Sequence, residues 1–280
     1  MKVGIAGAGV MGAGIALSSI QAGYTTLLFD VSEAALEKGT AYIRKEFDKS
    51  VEKGKITPGK AAKMLALLTT VSDATRLQAD IIIEAVLENL EIKQTLFRQL
   101  ESVNTTDAIL ATNTSSIPIS QIARGMQHPK RIVGVHFFNP AHIMKLVEII
   151  SGAETDNTVA EKAFLWAESL GKKAVYAADA PGFIVNRVAR HYYVEGLKIL
   201  EEQIASLDSI DRLCEASGFK MGPFRLMDLI GVDTNYSVTS SMFSLFGQDA
   251  KYRPSRIQKQ KVDAGHHGRK SGQGFYRYED

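Results

Sequence analysis

Gly7-Ala8-Gly9-Val10-Met11-Gly12 restricts the fold of this 280-residue chain more than any other feature. A G-x-G-x-x-G run is common by chance, but this one follows an apolar run, Val3 to Ala6, and opens a helix-like stretch, Met11 to Gln21, that ends before Gly23. Gly7 allows the tight turn, Gly9 lets the backbone approach a pyrophosphate, and Gly12 lets helix and strand pack closely. The helix N-terminus, with the amides of Val10 and Met11, then faces the anion. The second apolar run, Thr25 to Phe29, ends at Asp30, 18 residues past Gly12. That is close to the roughly 20 residues expected for the acid that accepts bonds from the adenosine 2′-OH and repels a 2′-phosphate. The pattern predicts NAD over NADP. FAD shares the fingerprint, and a glycine turn beside a surface Asp is the bland alternative.

The first half continues as apolar runs alternating with helical stretches, the pattern of parallel strands joined by crossover helices. Further strands are expected at Ile81 to Ala85, Ala108 to Thr112, Ile132 to Phe138, Leu146 to Ile150 and Ala174 to Ala177. A long charged insert interrupts this order: Ala35, Leu36, Ile43 and Phe47 recur at helical spacing from Glu33 to about Val51, Lys53-Gly54-Lys55 turns the chain, and Thr57-Pro58 starts a second helix toward Leu67. The fold class is therefore a doubly wound α/β sheet of Rossmann type with a helical hairpin over about residues 33–67. Asp179-Ala180-Pro181-Gly182 marks a boundary, giving a nucleotide-binding domain over 1–180 and a smaller all-helical domain over 181–280 with helices at Phe183 to Glu202, Ser209 to Ala216 and from Pro223 onward.

Thirty-three basic and 31 acidic residues leave a formal charge of +2, so no global field recruits nucleic acid or an anionic membrane, and anionic ligands must be held locally. No apolar run approaches a bilayer span of roughly 20 residues. One cysteine, Cys214, and six histidines without zinc-ligand spacing point away from disulfides and metal catalysis. The strand beginning at Val3 leaves no room for a targeting segment, so a cytoplasmic protein is expected.

His136 interrupts the apolar run Val133-Gly134-Val135-His136-Phe137-Phe138-Asn139-Pro140, and Glu148 sits inside Leu146-Val147-Glu148-Ile149-Ile150. A polar ring in a strand is otherwise a satisfied core residue, and a buried acid is costly unless paired. Together they form a generic general-base arrangement, in which the carboxylate fixes the tautomer and steadies the imidazolium. Spacing alone leaves the pairing open.

The chain resembles the 3-hydroxyacyl-CoA dehydrogenase family over essentially its whole length, and among its members the short bacterial 3-hydroxybutyryl-CoA dehydrogenases. The resemblance rests on eight segments in order: the glycine loop, Glu84-Ala85-Val86-Leu87-Glu88-Asn89, Asn113-Thr114-Ser115-Ser116, His136 to Pro140, Met144 to Glu148, Pro181 to Arg187, Met221-Gly222-Pro223-Phe224 and Gly268 to Phe275. It implies an NAD-dependent interconversion of (S)-3-hydroxyacyl-CoA and 3-oxoacyl-CoA on short chains. His136 would be the general acid/base, Glu148 its partner, and Ser115 and Asn186 neutral donors to the reacting oxygen, with Ser115 also reaching the cofactor. The family pattern adds Glu88, Lys93, Asn139 and Lys270 to the cofactor contacts. Glu88 and Lys93 fall near a helix start, where a capping acid and a solvated lysine need no ligand, and Lys270 lies in a glycine-flanked basic loop. Lys53 matches the CoA-binding lysine of the hairpin. Its companion position, commonly serine, is Glu46, which is expected to pair with Lys49 or Arg44. His142 stands where proline is frequent and reads as a loop residue. The resemblance also implies a homodimer through the second domain, where Leu226, Leu229, Ile230, Met242, Phe243, Leu245 and Phe246 serve as bundle core or interface.

Three alternatives stay open. A 3-hydroxyadipyl-CoA dehydrogenase of aromatic degradation would share every catalytic motif. A non-catalytic NAD-binding relative would show a damaged His/Glu/Ser/Asn set, whereas all four are present. A β-hydroxyacid dehydrogenase with a lysine base would lack the His-Phe-Phe-Asn-Pro segment.

Overall fold

The structure, a computed structural model, describes residues 1–278; Glu279 and Asp280, which fall in the expected second domain, lie outside the described residues. It divides into two compact units, Met1–Ala180 and Pro181–Asp280.

The first unit is an eight-stranded sheet of order β3-β2-β1-β4-β5-β6-β7-β8. The strands are β1 (Lys2–Ala6), β2 (Thr25–Phe29), β3 (Leu68–Val71), β4 (Ile81–Glu84), β5 (Ile109–Thr112), β6 (Ile132–Phe137), β7 (Leu146–Ser151) and β8 (Lys173–Ala178). Strands β4, β5 and β6 are buried at every position, which is why they read as continuous apolar runs. The helices are α1 (Val10–Gln21), α2 (Glu33–Glu52), α3 (Pro58–Leu65), α4 (Leu90–Val103), α5 (Ile119–Ala123) and α6 (Asn157–Ser169). The strand order reverses between β1 and β4, so the glycine loop after β1 opens at the switch point where such sheets bind ligands.

Two differences from the expected sheet have physical causes. Strand β3 adds a parallel neighbour to β2 at the sheet edge; its middle residues, Thr69 and Thr70, are exposed, so its hydrophobic pattern is nearly silent. Strand β7 runs antiparallel to β6, because residues 138–145 are too few for the crossover a parallel return requires. That reversal sets His136 directly opposite Glu148.

The hairpin is α2 and α3. Leu36, Gly39, Ile43 and Phe47 form the buried stripe of α2, Ser32 caps its start, and Thr57 with Pro58 at the first helical position begins α3. Gly39 permits the closest approach: a Cβ there would stand 2.7 Å from the carbonyl oxygen of Ala8 in the glycine loop.

The second unit contains α7 (Val185–Glu201), α8 (Leu207–Ala216), α9 (Pro223–Ile230), α10 (Val232–Leu245) and α11 (Arg256–Asp263). Tyr193, Leu197, Ile210, Phe224, Met227, Val232 and Phe275 build its core. Of the apolar side chains expected in core or interface, Met242 is fully buried, whereas Leu229, Ile230 and Leu245 are exposed. Asp228 and Asp211 act as buried anchors. Asp228 accepts from the amides of Phe275 and Tyr276, and Asp211 from those of Phe224 and Arg225, each carboxylate repaying its burial with several donors. Among the described residues no helix is long and apolar enough to cross a membrane.

Candidate active site and cofactor cradle

The glycine loop has the shape that a dinucleotide needs. Gly7 has φ +107°, a conformation that side chains rarely adopt, and a Cβ on Gly12 would fall 1.8 Å from the Gly7 carbonyl oxygen. A Cβ on Gly9 would meet nothing within 4 Å, so that position faces open space. Gly9 caps α1 without a side-chain bond, leaving the first-turn amides, including those of Val10 and Met11, for an anion. Asp30 is tied into the same loop: one carboxylate oxygen accepts from the amide of Ala8 at 2.9 Å and the other from Ser32 at 2.9 Å. Each oxygen keeps a second lone pair, enough for the two hydroxyls of a ribose. The cradle therefore fits NAD in shape and donor set.

Next to it, Glu84 closes β4 as a fully buried carboxylate, a group that sequence reasoning passed over although an acid after three isoleucines signals a costly burial. It accepts from Lys93 Nζ at 2.6 Å, the Thr112 hydroxyl at 2.7 Å and the Val86 amide at 2.8 Å. Lys93 is thus not a solvated lysine: it is 1% exposed and also lies 3.2 Å from Glu88. Nor does Glu88 cap α4, a role taken by Asn89, whose Oδ1 accepts from Ile92. Glu88 instead gathers donors from the segment after β5, accepting from the Thr114 hydroxyl at 2.6 Å and the amides of Ser115 and Ser116 at 2.9 and 3.1 Å. Burial pushes the Glu88 carboxyl up, but Lys93 and these donors outweigh it and hold the group below its usual range. Burial prevails at Glu84, whose carboxyl is raised despite Lys93. The Ser115 hydroxyl, 3.4 Å from Glu88, is only weakly engaged there.

His136 on β6 and Glu148 on β7 are paired residues of the antiparallel ladder, 4% and 0% exposed. His136 Nδ1 lies 2.7 Å from Glu148 Oε2. A carboxylate there holds the proton on Nδ1 and leaves Nε2 as the ring's acceptor, which is the state a general base needs. Phe138 packs against the imidazole with centroids 4.6 Å apart, and the Asn113 side chain accepts from the Phe137 amide at 2.8 Å, fixing the end of the strand. Asn139 follows in an exposed loop and joins Pro140 by a cis peptide bond.

The remaining expected residues belong to other elements. Lys53 is exposed at the C-terminal end of α2. Glu46 pairs with Lys49 at 2.6 Å, as one of the two expected partners, and with His142 at 3.5 Å, which was not foreseen. Asn186 and Lys270 belong to the second unit. Asn186 lies in the first turn of α7, after a turn in which Gly182 and Phe183 both have positive φ, 74° and 47°. Lys270 is half exposed and ion-paired with Asp233 at 2.7 Å rather than merely solvated.

Comparison with known proteins gives a consistent picture. Residues 2–180 match the model of the 3-hydroxyacyl-CoA dehydrogenase NAD binding domain, and residues 182–278 that of the 3-hydroxyacyl-CoA dehydrogenase C-terminal domain. The chain is 45% identical over 276 residues to a 3-hydroxyadipyl-CoA dehydrogenase of Escherichia coli K12, covering 98% of this chain and 58% of that protein. It is 38% identical to a probable 3-hydroxybutyryl-CoA dehydrogenase of Bacillus subtilis, covering 100% of this chain and 98% of the relative. Among solved structures, a 3-hydroxybutyryl-CoA dehydrogenase from Escherichia coli K12 superposes with a TM-score of 0.96 at 44% identity, over 99% of this chain and 59% of that one. The chain thus spans little more than half the length of the first relative and nearly all of the second.

Proposed function

The chain belongs to the 3-hydroxyacyl-CoA dehydrogenase family of NAD-dependent oxidoreductases, and on that premise we propose that it interconverts short-chain (S)-3-hydroxyacyl-CoA and 3-oxoacyl-CoA, with 3-hydroxybutyryl-CoA and acetoacetyl-CoA as the reference pair. The observation that carries the reading is the buried His136–Glu148 bond across β6 and β7.

Bound NAD supplies the acceptor for the hydride that leaves C3 of the substrate. His136 Nε2 takes the proton of the 3-hydroxyl in oxidation and returns it in reduction. Glu148 keeps the ring in the required tautomer and stabilises the imidazolium that forms. Ser115 and Asn186 donate to the reacting oxygen; being neutral, they serve it both as hydroxyl and as carbonyl. Gly7, Gly9, Val10, Met11 and Gly12 take the pyrophosphate and Asp30 the adenosine ribose. Glu88, Asn139 and Lys270 contact the cofactor, and Lys93 acts there through its hold on Glu88. Lys53 takes a phosphate of CoA. We assign homodimerisation to the second unit, where Val188, Leu213, Phe219, Leu229 and Ile230 are exposed apolar side chains. A cytoplasmic setting suits an enzyme that needs NAD and an acyl-CoA and carries one unpaired thiol, Cys214.

A second reading, 3-hydroxyadipyl-CoA as substrate, is favoured by the name of the 45% identical relative. NADH oxidation measured with acetoacetyl-CoA and with 3-oxoadipyl-CoA separates the two. Comparable or greater kcat/KM on acetoacetyl-CoA supports the first, a clear preference for the dicarboxylate replaces it with the second, and NADH binding without turnover of either would mark a non-catalytic relative.

A further inference from the structure

Glu46 and His142, the two positions where the chain departs from the pattern it otherwise resembles, touch each other. His142 Nε2 lies 3.5 Å from Glu46 Oε2, and Tyr42, one helical turn before Glu46 on α2, reaches His142 Nδ1 at 3.2 Å. A neutral imidazole satisfies both: Nδ1 accepts the phenol O–H while Nε2–H donates to the carboxylate. The Tyr42 ring also meets the imidazole edge-on, with centroids 5.9 Å apart. Burial holds His142 below the usual imidazole range, consistent with that neutral form.

The two sides of this contact have different jobs. His142 sits in the loop that follows the catalytic strand β6. That loop is fixed by Lys172, whose ammonium donates to the carbonyls of Ala141 at 2.6 Å and Met144 at 2.9 Å, on either side of His142. Tyr42 and Glu46 belong to α2, which continues into a basic stretch of the chain. Residues 44–63 hold seven Lys or Arg against three Asp or Glu, in a protein whose whole formal charge is +2. A polyanion such as the nucleotide end of CoA is therefore drawn to the hairpin, while the acyl end must reach His136.

We propose that His142 is a positioning residue for the acyl-CoA: through Tyr42 and Glu46 it locks the basic hairpin to the loop after β6, setting the distance between the phosphate-holding and proton-transferring parts of the first unit. The proposal rests on the reading of the chain as an acyl-CoA enzyme. Its physical basis is that a misplaced anchor is felt only by substrates that use it.

The test compares acetoacetyl-CoA with acetoacetyl-pantetheine, which carries the same thioester without the nucleotide phosphates, in wild type, His142→Ala, His142→Gln and Tyr42→Phe, alongside calorimetric binding of CoA. Loss of the two contacts in His142→Ala is expected to raise KM for acetoacetyl-CoA and the Kd of CoA by about 5–30-fold, with kcat and the KM of the pantetheine thioester within about twofold. His142→Gln, which returns a donor toward Glu46, recovers part of the loss, and Tyr42→Phe shows a smaller effect of the same kind. Unchanged CoA affinity in His142→Ala, or equal damage on both thioesters, would overturn the proposal. Wild-type protein that binds CoA yet turns over neither thioester would sink the functional reading instead, and the calorimetric comparison would then judge the lock by itself.

Discussion

His136 and Glu148 are directly opposed across the antiparallel β6–β7 pair, with Nδ1 and Oε2 2.7 Å apart and both side chains buried. The register of two adjoining strands thus brings the imidazole and the carboxyl group together. Replacing His136 with Gln is expected to lower kcat by about 10²–10⁴-fold, the usual contribution of general acid/base catalysis, while the Kd for NADH from fluorescence titration stays near wild type. A near-wild-type kcat would remove His136 from the mechanism.

Asp30 accepts from the Ala8 amide of the glycine loop, so its carboxylate shapes the cradle in which it is proposed to take the ribose. Asp30→Ala should narrow the ratio of kcat/KM for NAD over NADP by at least about tenfold, because it removes both the ribose acceptor and the charge that repels a 2′-phosphate. An unchanged ratio would show that another group reads the ribose.

Among the described residues, Lys93 is the only ammonium bonded to the fully buried Glu84. Lys93→Met strands that carboxylate and is expected to cost about 3–5 kcal/mol of stability, the usual penalty for breaking a buried pair from one side. Adding Glu84→Gln to Lys93→Met should restore part of the loss in urea denaturation. A double variant less stable than Lys93→Met alone would refute this account.

The folded-state pKa of His142 is lowered by burial, with Lys172 adding to the effect and Glu46 opposing it. As pH falls, the unfolded chain protonates this imidazole first, near its ordinary value of about 6.5, while the folded chain resists. Stability is therefore complete above that value and is lost as pH drops from it toward the lower folded value. His142→Asn should lose less Tm than wild type between pH 7.5 and pH 5.5. An equal or larger loss would contradict the assigned direction.

The parts of the molecule most legible in the sequence were those where sterics leave few options. Gly7 and Gly12 admit no side chain in the loop they form, and the Thr57-Pro58 pair starts a helix by a local rule. Less legible were features decided by partners distant in sequence. Strand β3 forms because β2 offers it an edge, not because Leu68-Thr69-Thr70-Val71 carries a strong pattern. Helix α11, Arg256–Asp263, is largely polar and buries only Gln258, so it has no apolar stripe to announce it. The acid at 84 was visible, but its partner Lys93 reads as a surface residue until α4 turns it inward. His142 likewise has no meaning within its own loop, because Tyr42 and Glu46 come from another element.

The one-to-one register of β6 and β7 also limits how this lineage can change length. Because side chains alternate faces along a strand, losing or gaining one residue between Val133 and His136, or between Glu148 and Ser151, would turn one member of the pair to the opposite side of the sheet. Insertions and deletions here are thus confined to the turn at residues 138–145. There His142 and the two carbonyls held by Lys172 leave little slack, so the segment between base and acid should drift in composition far more readily than in length.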